Sequence, residues 1–163
     1  LRAGSGDDNL LGDAGNDTLY AENGSDVLDG GTGDDTLLGD IDGHAGHTQM
    51  FGRAGQDTLV LGPGDIATGG DGKDIFVVGD WSIDKTPPTI LDFNSIDDTL
   101  TLVHNSQNEA PNVRLETTDA GQVMILFDDA PVAILEGVDA FDPSTLTVLS
   151  KTEAYGSILK PLG

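Results

Sequence analysis

Aspartates recur at a fixed interval in the first quarter of this chain. Asp8, Asp17, Asp26 and Asp35 stand nine residues apart. Each follows a glycine by two places (Gly6, Gly15, Gly24, Gly33) and precedes a leucine by two (Leu10, Leu19, Leu28, Leu37). A carboxylate is a hard, charged oxygen donor, and small residues beside it let backbone carbonyls turn toward the same point. Such a loop suits a hard divalent cation. Four carboxylates stacked without one would repel each other.

The elements that must position these aspartates follow from the same period. Residues 3–11, 12–20, 21–29 and 30–38 are successive copies of G-G-x-G-x-D-x-L-x, of which 30–38 is the cleanest. Residues 39–51 form a unit of thirteen, with Thr48 at the carboxylate position and Met50 at the leucine position. Residues 52–60 return to pattern with Asp57 and Leu59, residues 61–68 carry Asp65 and Ala67, and residues 69–77 close the series with Asp74 and Phe76. Each unit divides into a six-residue glycine-rich loop and a three-residue strand whose middle side chain points inward. Stacking two units per turn brings the inward residues into a shared narrow core, a solenoid of parallel strands. One large apolar residue per nine is thin burial against chain entropy. Calcium, which takes six to eight oxygens from carboxylates and carbonyls, is the expected staple, seated between loops two units apart.

The pattern resembles the RTX (repeats-in-toxin) proteins of Gram-negative bacteria over residues 3–77. The resemblance implies a parallel β-roll with Ca²⁺ in its turns, and export by a type I secretion system that reads an uncleaved C-terminal signal. It implies several ions, with carboxylate ligands at Asp8, Asp17, Asp26, Asp35, Asp57 and Asp74. Carbonyl ligands map to the first and third positions of a loop, such as Gly12, Ala14, Gly30 and Thr32. Departures are Ala3 and Ala21 for the first glycine, Asp13 and Glu22 for the second, and Thr48 for the aspartate. The tier at Thr48 is therefore expected to be metal-free or to use Asp40 or Asp42.

Composition agrees with a cation-dependent fold. Twenty-nine acidic residues against seven basic ones give a formal charge of −22 over 163 residues. This excludes nucleic acid and anionic membrane as expected partners, since both need Lys/Arg patches. A disordered acidic segment would not require aspartates at fixed intervals between glycines. There is no cysteine, so neither disulfides nor thiolate metal sites are available. No apolar run has the length of a membrane span. The chain starts at Leu1, as expected of a segment of a larger parent protein.

The prolines Pro87 and Pro88 mark an expected change of architecture. Strand-like runs follow at 89–93, 99–104, 113–117, 122–127, 132–135 and 145–149, with a hairpin turn at 119–121. The expected organisation is all-β: a calcium-binding roll over 1–80, an antiparallel β cap over 81–150, and a flexible tail over 151–163. Residues 90–94 with 97–102, and 133–138 with Phe141, resemble the segments that follow the repeats in RTX proteins. Asp92, Asp97 and Asp98 are either one further calcium site or solvated turn carboxylates.

His44 and His47 lack a third strong ligand at a telling spacing and read as a solvated turn. Among the catalytic signatures, H-E-x-x-H, G-x-S-x-G and the P-loop are missing from the sequence. The sequence therefore reads as a non-catalytic calcium-binding module of a secreted protein that folds when it meets calcium outside the cell. The alternative is an adhesin or polysaccharide-binding module appended to an extracellular enzyme, its ligand a carbohydrate or cell surface met by His44, His47 and Gln49.

Overall fold

The computed structural model describes residues 1–42, 44, 46–105, 109–138 and 141–157. Strands β1 (Asn9–Leu11), β2 (Thr18–Tyr20), β3 (Val27–Thr32), β4 (Thr36–Leu38), β5 (Gln49–Ala54), β6 (Thr58–Val60), β7 (Ile66–Asp71) and β8 (Ile75–Gly79) alternate between two facing sheets. Odd-numbered strands pair in parallel in one sheet and even-numbered strands in the other. This is a parallel β-roll. Strands β1 to β8 are short and a turn separates each from the next, so the chain crosses from sheet to sheet at every turn.

Inward side chains form two rungs that meet in the middle. In one sheet Leu10, Leu28, Met50, Ala67 and Ile90 stand in register, and in the other Leu19, Leu37, Leu59, Phe76 and Leu100. All are buried and belong to one continuous core. Met50 and Ala67 therefore occupy the inward positions that the edited units assign them. The four extra residues of the thirteen-residue unit lie in its loop, and the strand keeps its register.

The roll does not stop at the prolines. Strand β9 (Thr89–Ile90) pairs in parallel with β7, and β10 (Thr99–His104) with β8. Strands β11 (Val113–Thr117), β12 (Val123–Phe127) and β13 (Ala130–Leu135) form an antiparallel meander. Yet β13 also pairs in parallel with β9, and β14 (Leu146–Ser150) pairs in parallel with β10. Antiparallel pairing is thus confined to β11–β13, at one edge of an eight-stranded sheet, and the six-stranded sheet is parallel throughout. The expected boundary near residue 81 separates turn chemistries. The inward rungs run on across it through Ile90, Leu100 and Leu135.

Two further differences concern the outer face. Leu38, Val60 and Val77 point away from the main core, as position nine of a unit should, but are buried in a second cluster together with Val103 of β10. Trp81 and Ile41 cover part of that stripe, and Ala154 covers another part. Ala154 belongs to helix α1 (Lys151–Ser157), which lies where a flexible tail is expected. Burying Ala154 on the stripe gives that segment a reason to be helical. Residues 158–163 of the expected tail lie outside the described residues. Among the described residues, no helix is long and apolar enough to cross a membrane.

Candidate metal centre

The turns stack in two columns, one along each edge of the roll. The turns that lead into β2, β4, β6, β8 and β10 carry Asp17, Asp35, Asp57, Asp74 and Asp98. The turns that lead into β1, β3, β5 and β7 carry Asp8, Asp26, Thr48 and Asp65. Within a column the backbone N–H at this position donates to the carboxylate of the turn above, wherever that turn carries one. Asp17 donates to Asp35 Oδ1 at 2.8 Å, Asp35 to Asp57 Oδ1 at 2.8 Å, Asp57 to Asp74 Oδ1 at 3.0 Å, and Asp74 to Asp98 Oδ1 at 3.0 Å. In the second column Asp8 donates to Asp26 Oδ1 at 2.9 Å and Thr48 to Asp65 Oδ1 at 2.8 Å. This N–H donation accounts for one oxygen of each carboxylate.

The other oxygens are not alike. Oδ2 of Asp26, Asp35, Asp57 and Asp74 is buried and has no hydrogen-bond partner. Each of these residues is 1% exposed. An orphaned buried carboxylate oxygen carries a cost of several kcal/mol by order of magnitude, unless a cation or proton sits against it. Burial pushes Asp57 and Asp74 up to about 6, with neighbouring carboxylates adding to the shift. Burial raises Asp26 and Asp35 in the same sense. A bound cation would reverse that preference. The donor set therefore fits a hard divalent ion.

Glycine makes room for it. A Cβ on Gly30 would collide with Oδ2 of Asp35, so the loop can wrap its own carboxylate only without a side chain there. At Gly33 φ is +121°, a conformation that other residues rarely adopt. The second position is more tolerant: Asp13 and Glu22 stand there at φ 66° and 61°, and Arg53 at 82°. These are strained left-handed residues, at about 1–2 kcal/mol each. The departures from glycine at this position thus leave the turn conformation intact.

The carbonyls are directed into the same spaces. The Gly30 carbonyl oxygen lies against the space that a Cβ on Gly12 would fill, and the Gly69 carbonyl oxygen against that of Gly52. Ala14 and Thr32 face each other across a parallel bridge. The Thr32 carbonyl accepts the Gly15 N–H at 2.8 Å, so only its second lone pair is open to an ion. Of the predicted residues, Asp26, Asp35, Asp57 and Asp74 lie deep in the columns. Asp8 and Asp17 are half-buried at the first turn.

Outside the repeats the carboxylates are differently occupied. Asp98 Oδ2 accepts the Asn94 N–H at 2.8 Å. Asp92 takes the N–H groups of Gly69 and Gly70, both at 2.9 Å, and Asp97 faces Lys73 at 3.7 Å. These three therefore do not converge on one further site. Asp98 instead continues the column, a role signalled by Asp98-Thr99-Leu100-Thr101, which repeats the D-x-L-x of the units. Asp65 Oδ2 accepts the Gly62 N–H at 2.7 Å. Burial still pushes Asp65 up to about 6, while its N–H donors and the nearby His47 act in the opposite sense.

In the thirteen-residue unit, ligand atoms of Asp40, Asp42 and His44 lie within 4.8 Å of one another. Asp40 already accepts the backbone N–H groups of Asp42 and His44. His44 Nδ1 lies 3.0 Å from Asp40 Oδ1, and that hydrogen bond raises the His44 pKa. His47 lies against Gly64. His44 is thus held within its own loop, and His47 lies against the neighbouring turn.

Residues 2–37 and 40–65 match the family model of the RTX calcium-binding nonapeptide repeat, in four copies. Over those residues the chain carries RTX calcium-binding repeats. Its roll is similar to the solution structure of the AlgE6R3 subunit of the mannuronan C5-epimerase from Azotobacter vinelandii, with a TM-score of 0.50 and 20% identity. That similarity covers 83% of this chain and 79% of the other, and it concerns the fold. The extracellular lipase LipA of Serratia marcescens aligns at a TM-score of 0.41 and 17% identity, over 90% of this chain and 40% of the lipase. No curated protein sequence matches the chain.

Proposed function

We infer that this RTX module is a non-catalytic part of a larger secreted protein of a Gram-negative bacterium, exported by a type I secretion system and folded by calcium outside the cell. The observation that carries this reading is the set of four buried carboxylate oxygens without a donor, three of which (Asp26, Asp35 and Asp57) lie within the residues that match the calcium-binding repeat. Asp8, Asp17, Asp26, Asp35, Asp57 and Asp74 would supply charged ligands. Carbonyls of Gly12, Ala14, Gly30 and Thr32 would complete the shell between stacked turns. When bound, calcium supplies the positive charge that the columns lack.

The mechanism is linkage. A ligand that binds only the folded chain stabilises it by RT ln(1 + [L]/Kd) per site, and extracellular modules bind calcium with Kd of roughly 10⁻⁴–10⁻³ M. At far lower cytosolic calcium the orphaned carboxylates oppose folding, and an unfolded acidic chain can thread an export channel. At millimolar calcium several turns close together. Circular dichroism across a calcium titration tests this: the expected result is a cooperative gain of strand signal. A strand spectrum unchanged in excess chelator at pH 7 would overturn the folding mechanism.

A further inference from the structure

The six carboxylates that stand directly before a strand and take an N–H from the turn below are of two kinds. Four keep an orphaned oxygen: Asp26, Asp35, Asp57 and Asp74. Two do not. Asp65 Oδ2 is closed by the Gly62 N–H, and Asp98 Oδ2 by the Asn94 N–H. In both cases the donor lies three or four residues earlier in the same turn, so the turn has folded its own N–H into the place where the others leave a gap.

A second observation separates the Asp65 turn from the repeats. In the turns at Asp35 and Asp74 the first-position carbonyl oxygens, of Gly30 and Gly69, lie against Gly12 and Gly52 of the turn below. The first position of the Asp65 turn is Leu61, and its carbonyl accepts the Trp81 indole N–H at 2.8 Å. The second carboxylate oxygen and one lone pair of the leading carbonyl are thus taken within the protein. On the other side of this gap stands Thr48, whose hydroxyl brings no charge. For Asp98, the turn below it offers neither of its first two N–H groups to a carbonyl. The N–H groups of Gly69 and Gly70 are held by Asp92.

The geometry points to four calcium ions, one against each orphaned Oδ2, with the turns at Asp65 and Asp98 closed by backbone N–H groups in place of an ion. Resting on the calcium reading above, this places three ions in the Asp17–Asp74 column, one between Asp8 and Asp26, and none at Thr48, Asp65 or Asp98. A carboxylate in a repeat-like turn is then a calcium ligand only where its own turn leaves it a vacant oxygen.

Native mass spectrometry of the whole calcium-loaded chain counts the ions, and anomalous scattering from calcium-grown crystals locates them. Four ions are expected, with none within ligand distance of Asp65 or Asp98. Asp65→Asn and Asp98→Asn should keep the count at four, and Asp35→Asn should lower it. A fifth ion, fewer than four in the parent chain, density at either self-closed turn, or an ion lost on either of the first two substitutions would overturn the assignment. If a variant does not fold, the anomalous map of the parent chain decides alone. A parent chain that binds no calcium at all would instead remove the reading on which the assignment rests.

Discussion

The two columns of turns share one backbone and differ in chemistry. In the column that starts at Asp17 every rung is a carboxylate, and Asp35, Asp57, Asp74 and Asp98 are each clamped by the N–H below. In the column of Asp8, Asp26, Thr48 and Asp65 the series is broken by Thr48 and then closed by Gly62 and Trp81. The strands that follow stay in register in both sheets. Register is therefore a property of the strands and their inward residues, while the need for a cation belongs to the turns. One edge of the roll can be ion-dependent while part of the opposite edge is not.

Neutralising one carboxylate in each column should separate the two most strongly. Asp57→Asn removes a ligand from the unbroken column and should lower stability in saturating calcium by about 3 kcal/mol, the value of one site at a hundredfold excess over Kd. In chelator at pH 7 the sign should reverse, because the same substitution removes a buried, uncompensated charge. Asp65→Asn should have the same effect with and without calcium. Thermal unfolding in calcium provides the first measurement. Folded fraction in chelator, with trimethylamine oxide added to bring the ion-free chain into its transition, provides the second. Equal effects of Asp57→Asn in both conditions would erase the distinction between the columns.

A smaller effect is expected from the glycine that wraps the ligand. In Gly30→Ala the new Cβ collides with Asp35 Oδ2, displacing the oxygen that lacks a partner. A cost of about 1–3 kcal/mol follows from overpacking at a buried site, together with a raised calcium midpoint. Gly121→Ala is the control in the β11–β12 hairpin: φ is +80°, but nothing lies within 4 Å of the added Cβ. There the cost should be about 1 kcal/mol, from the left-handed backbone alone. A calcium titration of both variants checks the contrast.

Protons should partly replace calcium. Burial raises Asp57 and Asp74 to about 6 in the folded, ion-free state, against an ordinary 3.8. A group whose folded pKa is raised contributes stability that is complete below the unfolded pKa and is lost as pH rises through the folded value. The ion-free roll should therefore gain stability as pH falls from 7 toward 4. In calcium the trend should oppose this, since protons and ions compete for the same oxygens. Circular dichroism in chelator between pH 7 and pH 4 measures the first slope, and a flat profile would contradict it.

How much of this was legible in the sequence depends on what the period encodes. The nine-residue spacing placed Leu10 to Phe76 inward and located Thr48 as the gap, because loop and strand lengths are set by glycine, aspartate and one apolar residue. Strands β9, β10, β13 and β14 were harder to place. Their alternation marks them as strands, but with no repeated turn nothing local says that they join the parallel sheets. The buried stripe of Leu38, Val60 and Val77 was invisible for a similar reason, since its cover comes from Trp81 and Ala154, distant in sequence. The division between orphaned and closed carboxylates rests on single N–H groups, those of Gly62 and Asn94, which no spacing of side chains reveals.

The smallest effect separates the columns most cleanly. Trp81→Phe keeps the apolar body over the outer stripe and removes only the indole hydrogen bond to Leu61, worth about 1 kcal/mol. If four ions bind cooperatively, that loss is shared among them and moves the calcium midpoint by less than about twofold. The ion count should not change, because Thr48 and Gly62 still close Asp65. A fifth ion in Trp81→Phe would show that the freed Leu61 carbonyl is enough to open this turn to calcium. The indole, rather than the Gly62 N–H, would then be what keeps the broken column free of metal.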